Sequence, residues 1–148
     1  MGTFNKTILL FLVALMVSCS IQPEPINYNE DECAYCKMKI SDVRFGAELV
    51  SSKGKIFKYD SAECLVRTYI ENDKPDYAFI MVTDYSQPKT LIDATIAHYI
   101  ISENQPSPMG GFLSAYENKD LAKNVIEEKG GKSLNFENLV KEYRVLHQ

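Results

Sequence analysis

Beyond residue 40 the chain switches between two hydrophobic rhythms, and the switching outlines a mixed fold. Phe45, Ala47 and Leu49 fall at every second position, Lys53-Gly54 marks a turn, and residues 55–59 read as extended again, which predicts a β-hairpin. Asp60-Ser61 then offers an N-cap with Glu63 in the first turn. Ala62, Leu65, Val66, Tyr69 and Ile70 recur at helical spacing until Pro75 closes the run. Residues 77–83, YAFIMVT, are almost continuously apolar between Pro75 and a polar stretch, as in a strand buried on both faces. The second half repeats this grammar. Residues 90–101 predict one or two strands, 112–116 another, and Leu121, Ala122, Val125 and Ile126 a helix stopped by Gly130-Gly131. A short strand over 133–135 and a helix over 136–146 follow. The fold class is α+β: two ββαβ-like units and a C-terminal helix.

The first 32 residues obey neither rhythm. Lys6 precedes an unbroken apolar run over residues 8–17, too short to span a bilayer but of the length of an export signal. The run ends in Met16-Val17-Ser18-Cys19, which resembles a bacterial lipobox and assigns residues 1–18 to a signal peptide and Cys19 to lipidation. Two or more acyl chains hold a protein stably on a bilayer, so the expected product faces the periplasm, tethered to the cell envelope and not spanning it. Serine after the cysteine resembles outer-membrane sorting. Residues 19–32 are rich in proline and acid and lack an apolar period, which predicts a flexible tether ahead of a domain over 33–148.

Composition narrows the function. The chain of 148 residues carries a formal charge of −4, and removal of the signal takes Lys6 with it. A polyanion binder needs a clustered basic face, and none is visible, so no nucleic-acid partner is expected. With Cys19 given to lipid, Cys33, Cys36 and Cys64 remain of four cysteines. An odd number of thiols outside the reducing cytosol leaves at least one for a ligand or for chemistry.

Three chemistries compete for them. Cys33 and Cys36 could exchange disulfides, but a redox pair gains its low pKa from a helix N-terminus, and no amphipathic helix follows the motif. A structural disulfide, Cys33 to Cys36 or Cys33 to Cys64, stays open beside it. Zinc could take Cys33, Cys36, Cys64 and His98 in a structural lipoprotein, although the last two are scattered singly where finger ligands come in pairs. Cys64 beside a helix stripe also reads as a small buried hydrophobe, His98 as a polar residue on a half-buried strand, and His147 as solvent-exposed. A softer metal is the third candidate. An extended Cys36-Lys37-Met38 would project thiol and thioether to one side, a donor pair that favours Cu(I) over harder cations. Met109, between two prolines and two glycines in PSPMGG, is expected to be presented by a loop and could join them, whereas Met81 in its apolar strand reads as core.

Four stretches carry a resemblance: CAYCKMKISDVRFGAELVSSKGKIFKYDSAECL, VTDYSQPKTLIDATIAHYI, PSPMGGFLSAYENKDLA and EEKGGKSLNF. In this order they are similar to the NosL family of copper-binding lipoproteins that accompany nitrous oxide reductase. The family's C-x-M element falls on Cys36 and Met38, its P-M-G element on Pro108-Met109-Gly110, and its acidic hairpin end on Asp60. The resemblance implies a non-catalytic Cu(I) chaperone that holds copper on Cys36, Met38 and Met109. Cys33, Cys64 and His98 are further candidate ligands, and the recipient is apo nitrous oxide reductase or another cuproprotein.

Overall fold

A computed structural model describes residues 20–72 and 76–146. The signal peptide, Cys19, Pro75 and His147 lie outside the described residues.

The predicted hairpin forms β1 (Ala47–Ser51) and β2 (Ile56–Tyr59). Gly54 takes a left-handed φ of 80°, which costs a residue without a Cβ nothing, and its N–H donates to the Ser51 carbonyl at 2.8 Å. The helix α1 (Ala62–Glu71) follows, then β3 (Tyr77–Thr83) and a short edge strand β4 (Leu91–Asp93). All pairs are antiparallel in the order β2-β1-β3-β4. The second sheet is built from β5 (His98–Ile101), β6 (Leu113–Tyr116) and β7 (Lys132–Leu134) in the order β6-β5-β7, with α2 (Lys119–Lys129) before β7 and α3 (Phe136–Leu146) after it.

The two sheets share a plan. In each, the first strand of the unit is central, the second pairs on one side, and the strand that follows the helix pairs antiparallel on the other. The ββαβ grammar of the sequence is therefore a repeated topology. The sheets touch where Asp84 bridges to Ala115 and the Tyr85 N–H donates to the Ala115 carbonyl at 2.8 Å. Helices α1 and α3 pack on each other; α1 also meets β1, β2 and β6, while α3 meets β5 and β7. One large core results, containing Leu49, Tyr59, Leu65, Val66, Val82, Tyr99, Leu113 and Leu139. A smaller cluster of Ile100, Tyr116 and Ala122, with Val125 and Ile126 against it, lies under α2. That helix is bounded as its sequence implies: Asn118 Oδ1 accepts the Asp120 and Leu121 N–H groups, and Gly130 at a φ of 72° ends it.

Two expectations need correction. Of the expected tether over 19–32, the described residues 20–32 contain no helix or strand, but they do not trail free. Ile26 is buried in the main core, the Tyr28 hydroxyl meets Thr83 Oγ1 at 3.3 Å, and Lys58 Nζ reaches the Pro25 carbonyl and Asp31. Two apolar anchors, two residues apart, together with the Lys58 contacts, lay this arm on the sheet. Strand β3 is not buried on both faces either: Tyr77 and residues 79–81 are half-buried, and only Val82 and Thr83 are fully covered. Its outer face belongs to a sheet covered on that side by an arm and not by a helix layer, so Met81 is half-exposed beside Glu48 and is not core.

Candidate metal centre

The thiols come from two places. Residues 33–38 form a closed loop in which the Cys33 N–H donates to the Met38 carbonyl at 2.8 Å and the Lys37 N–H to the Cys33 carbonyl at 3.0 Å. Lys37 turns the chain with a φ of 64°, and the Ala34 N–H fixes the loop to β2 through the Lys58 carbonyl. The arm brackets it from the other side, with the Asn29 N–H on the Ile40 carbonyl and a bridge between Glu32 and Lys39. Cys64 enters on the first turn of α1. Cys33 and Cys64 are completely buried and Cys36 is half-buried. All three are free thiols, and their sulfurs lie within 4.8 Å of one another.

The electrostatics favour one thiolate in this cluster. Cys33 Sγ accepts the S–H of Cys64, which outweighs its burial, and backbone N–H groups of Asp60, Cys36 and Tyr35 add to the effect; its pKa falls to about 5. The Cys36 N–H stands 3.5 Å from that sulfur. Cys64, as the donor to Cys33 and itself buried, is pushed well above the ordinary thiol range, and burial raises Cys36. Asp60, buried and facing the Cys33 thiolate, also has its carboxyl raised. Ser61 takes the N-cap position without capping by its side chain, and its hydroxyl instead faces Cys64. The first turn of α1 thus carries Cys64, whose S–H is the main support of the Cys33 thiolate. Cys64 is both of the things its sequence position allows, a completely buried side chain and a member of the thiol cluster.

The remaining candidates are placed as follows. The left-handed Lys37 means that Cys36-Lys37-Met38 is not extended, so strand alternation does not put its two sulfurs on one side. Met38 follows the turn with 47% of its surface exposed. Met109 is half-buried against the core that contains Cys33 and Cys64, in a turn closed by the Gly110 N–H on the Ser107 carbonyl. His98 is not part of the cluster. It shares the face of β5 with Ile100 and pairs with Tyr116, both in the cluster under α2, whereas Tyr99 and Ile101 face the main core. The Cys₃His zinc shell is not assembled.

Three sulfurs with one stabilised thiolate make a compact, soft and low-coordinate donor set, suited to a thiophilic monovalent ion and unsuited to magnesium or calcium. The fold is similar to that of the crystal structure of the copper chaperone NosL from Shewanella denitrificans, with 22% sequence identity, coverage of 80% of this chain and 95% of that one, and a TM-score of 0.67. Comparison with curated proteins finds no match. The sequence model of NosL matches residues 25–144, which takes in the arm from Pro25, the thiol loop, both sheets and most of α3. The chain belongs to the NosL family.

Proposed function

We propose that this protein is a Cu(I) carrier that receives copper on its thiol cluster and surrenders it to an apo-cuproprotein in the periplasm. The observation that supports the reading best is the convergence of Cys33, Cys36 and Cys64 from a loop and a distant helix. Thiolate donors suit Cu(I), and thioethers add polarizable donors without a proton to lose or a charge to desolvate. Cys33 enters already poised as a thiolate. Cys36, half-buried at the rim, is where an incoming ligand can reach the ion, and binding there releases a proton from its thiol. Met38 and Met109 are the thioethers proposed to complete the set. Transfer is ligand exchange: a donor of the recipient displaces one sulfur at a time, with no change of copper oxidation state and no catalytic step.

Family membership supports nitrous oxide reductase as the recipient, and the lipobox at Cys19 supports an anchor in the outer membrane. A thiol–disulfide exchange function is the second reading, favoured by the low pKa of Cys33. Burial weighs against it, because the stabilised thiolate is completely covered while the accessible Cys36 is the thiol whose pKa is raised. Anaerobic Cu(I) titration against a competing chelator decides. One tightly held ion is expected, lost in Cys36→Ser and weakened in Met38→Ala and Met109→Ala. Wild-type affinity in Cys36→Ser would remove the proposal, and insulin reduction that requires Cys33 would replace it with the exchanger.

A further inference from the structure

Met109 stands at the tip of a turn whose two shoulders rest on one side chain of another element. Ser107 Oγ donates a buried hydrogen bond to Glu63 Oε1. On the other side, Gly111 comes so near that a Cβ there would lie 3.0 Å from Glu63 Cγ and 3.1 Å from Oε1. Glu63 is completely buried, and its second oxygen has no hydrogen-bond partner. It is also the residue before Cys64 on α1. An acidic group in the first turn of a helix can help that helix from the surface, so capping does not account for full burial. Burying a carboxylate with one oxygen unsatisfied is costly, and such groups in native proteins mark a positional requirement.

We propose that Glu63 and Ser107 form a clamp that positions the Met109 thioether against the thiol cluster. Both are positioning residues and not ligands. The clamp ties the methionine loop to the element that carries Cys64, so loop and thiol move together. A Cβ at Gly111 would press on Glu63 and on the Tyr143 hydroxyl at 3.0–3.1 Å, so the clamp would have to give by a few tenths of an ångström to admit it. The inference rests on the carrier reading, with Met109 as a donor, and it adds what fixes that donor in place.

The test has one arm with copper and one without. In the metal-free protein, mild peroxide oxidation followed by mass spectrometry reads Met109 against the exposed Met38 as an internal reference. Ser107→Ala is expected to speed Met109 oxidation several-fold relative to Met38, and Ser107→Thr, which keeps the hydroxyl, to restore protection. Gly111→Ala, which wedges the other shoulder, should reproduce the effect. In Cu(I) titrations, Ser107→Ala should lower affinity about tenfold in the wild-type background but less than about twofold in Met109→Leu, the non-additivity of residues acting as a unit. An unchanged oxidation ratio, or equal loss of affinity in both backgrounds, overturns the clamp. Failure of the parent protein to bind Cu(I) refutes the carrier reading itself, while the oxidation ratio still reports whether the loop is held.

Discussion

Placing a single methyl group at Gly46 tests whether the N-terminal arm is part of the domain. Gly46 precedes β1, and a Cβ built there meets Ile26 Cδ1 and the Tyr28 hydroxyl, each at 2.7 Å. Both belong to the arm. The Gly46 carbonyl accepts from the Thr83 N–H at 2.9 Å and from Thr83 Oγ1 at 2.6 Å, so the backbone beneath is pinned and the arm must yield. Because the Thr83 hydroxyl donates to Gly46, the bond at 3.3 Å to Tyr28 is donated by the tyrosine.

The cost of Gly46→Ala can be bounded from these contacts. Re-exposing a buried isoleucine forfeits ~1.5–3 kcal/mol. The Tyr28 bond adds ~0.5–1.5 kcal/mol. Overpacking relieved by partial displacement costs ~1–3 kcal/mol. Displacing the arm outright (~2–4.5 kcal/mol) and overpacking it in place (~1–3 kcal/mol) are alternatives that overlap at about 2–3 kcal/mol, the loss expected, or about 5–10 °C in melting temperature for a domain of this size. Thermal melts of wild type and Gly46→Ala, repeated in an Ile26→Ala, Tyr28→Phe background, supply the measurement. The methyl should cost little once its two obstacles are gone. A melt within about 2 °C of wild type, or an equal loss in both backgrounds, would refute the reasoning. Since the arm brackets the thiol loop through Asn29 and Glu32, Gly46→Ala should also weaken Cu(I) binding.

Other outcomes follow from the site. His98→Ala should leave Cu(I) affinity within about twofold, because His98 faces α2, and a tenfold loss would return it to the ligand set. The Cys33 pKa of about 5, below the ordinary thiol value of 9.0, predicts thiolate absorbance in the metal-free protein at neutral pH that vanishes in Cys33→Ser. A depressed folded-state pKa adds stability at high pH that is lost as pH falls from about 9 towards 5, so the melting temperature of the wild type should decline over that window more than that of Cys33→Ser. Parallel declines would show that no such thiolate exists.

Local periodicity made most of the fold legible. The hairpin, the three helices among the described residues and the strand of each unit follow from spacing over a few residues, and the glycines at 54 and 130 mark their ends. What escaped was nonlocal. In the arm, prolines and acids dilute the pattern, and Ile26 and Tyr28 gain meaning only beside Gly46 and Thr83. The run over 77–83 reads the same whether a helix layer or an arm covers its outer face. For His98 the alternation was present, but HYII is apolar on both sides and does not reveal which face meets the larger core. Cys36 and Met109 were singled out by chemistry. That the sulfurs of Cys33 and Cys64 meet is not legible locally, because it depends on the packing of α1 against the loop.

Cys33 and Cys64 sit on either side of the whole β1–β2 hairpin. An ion bound by both fastens that hairpin at its base, and binding to the native state alone lowers the unfolded fraction as the ion concentration rises above its dissociation constant. Loaded and empty forms would therefore differ in durability as well as in cargo. Under the carrier reading, a metal-free molecule would unfold more readily and be the form offered to proteases, so the supply of metal would also govern how long each molecule survives.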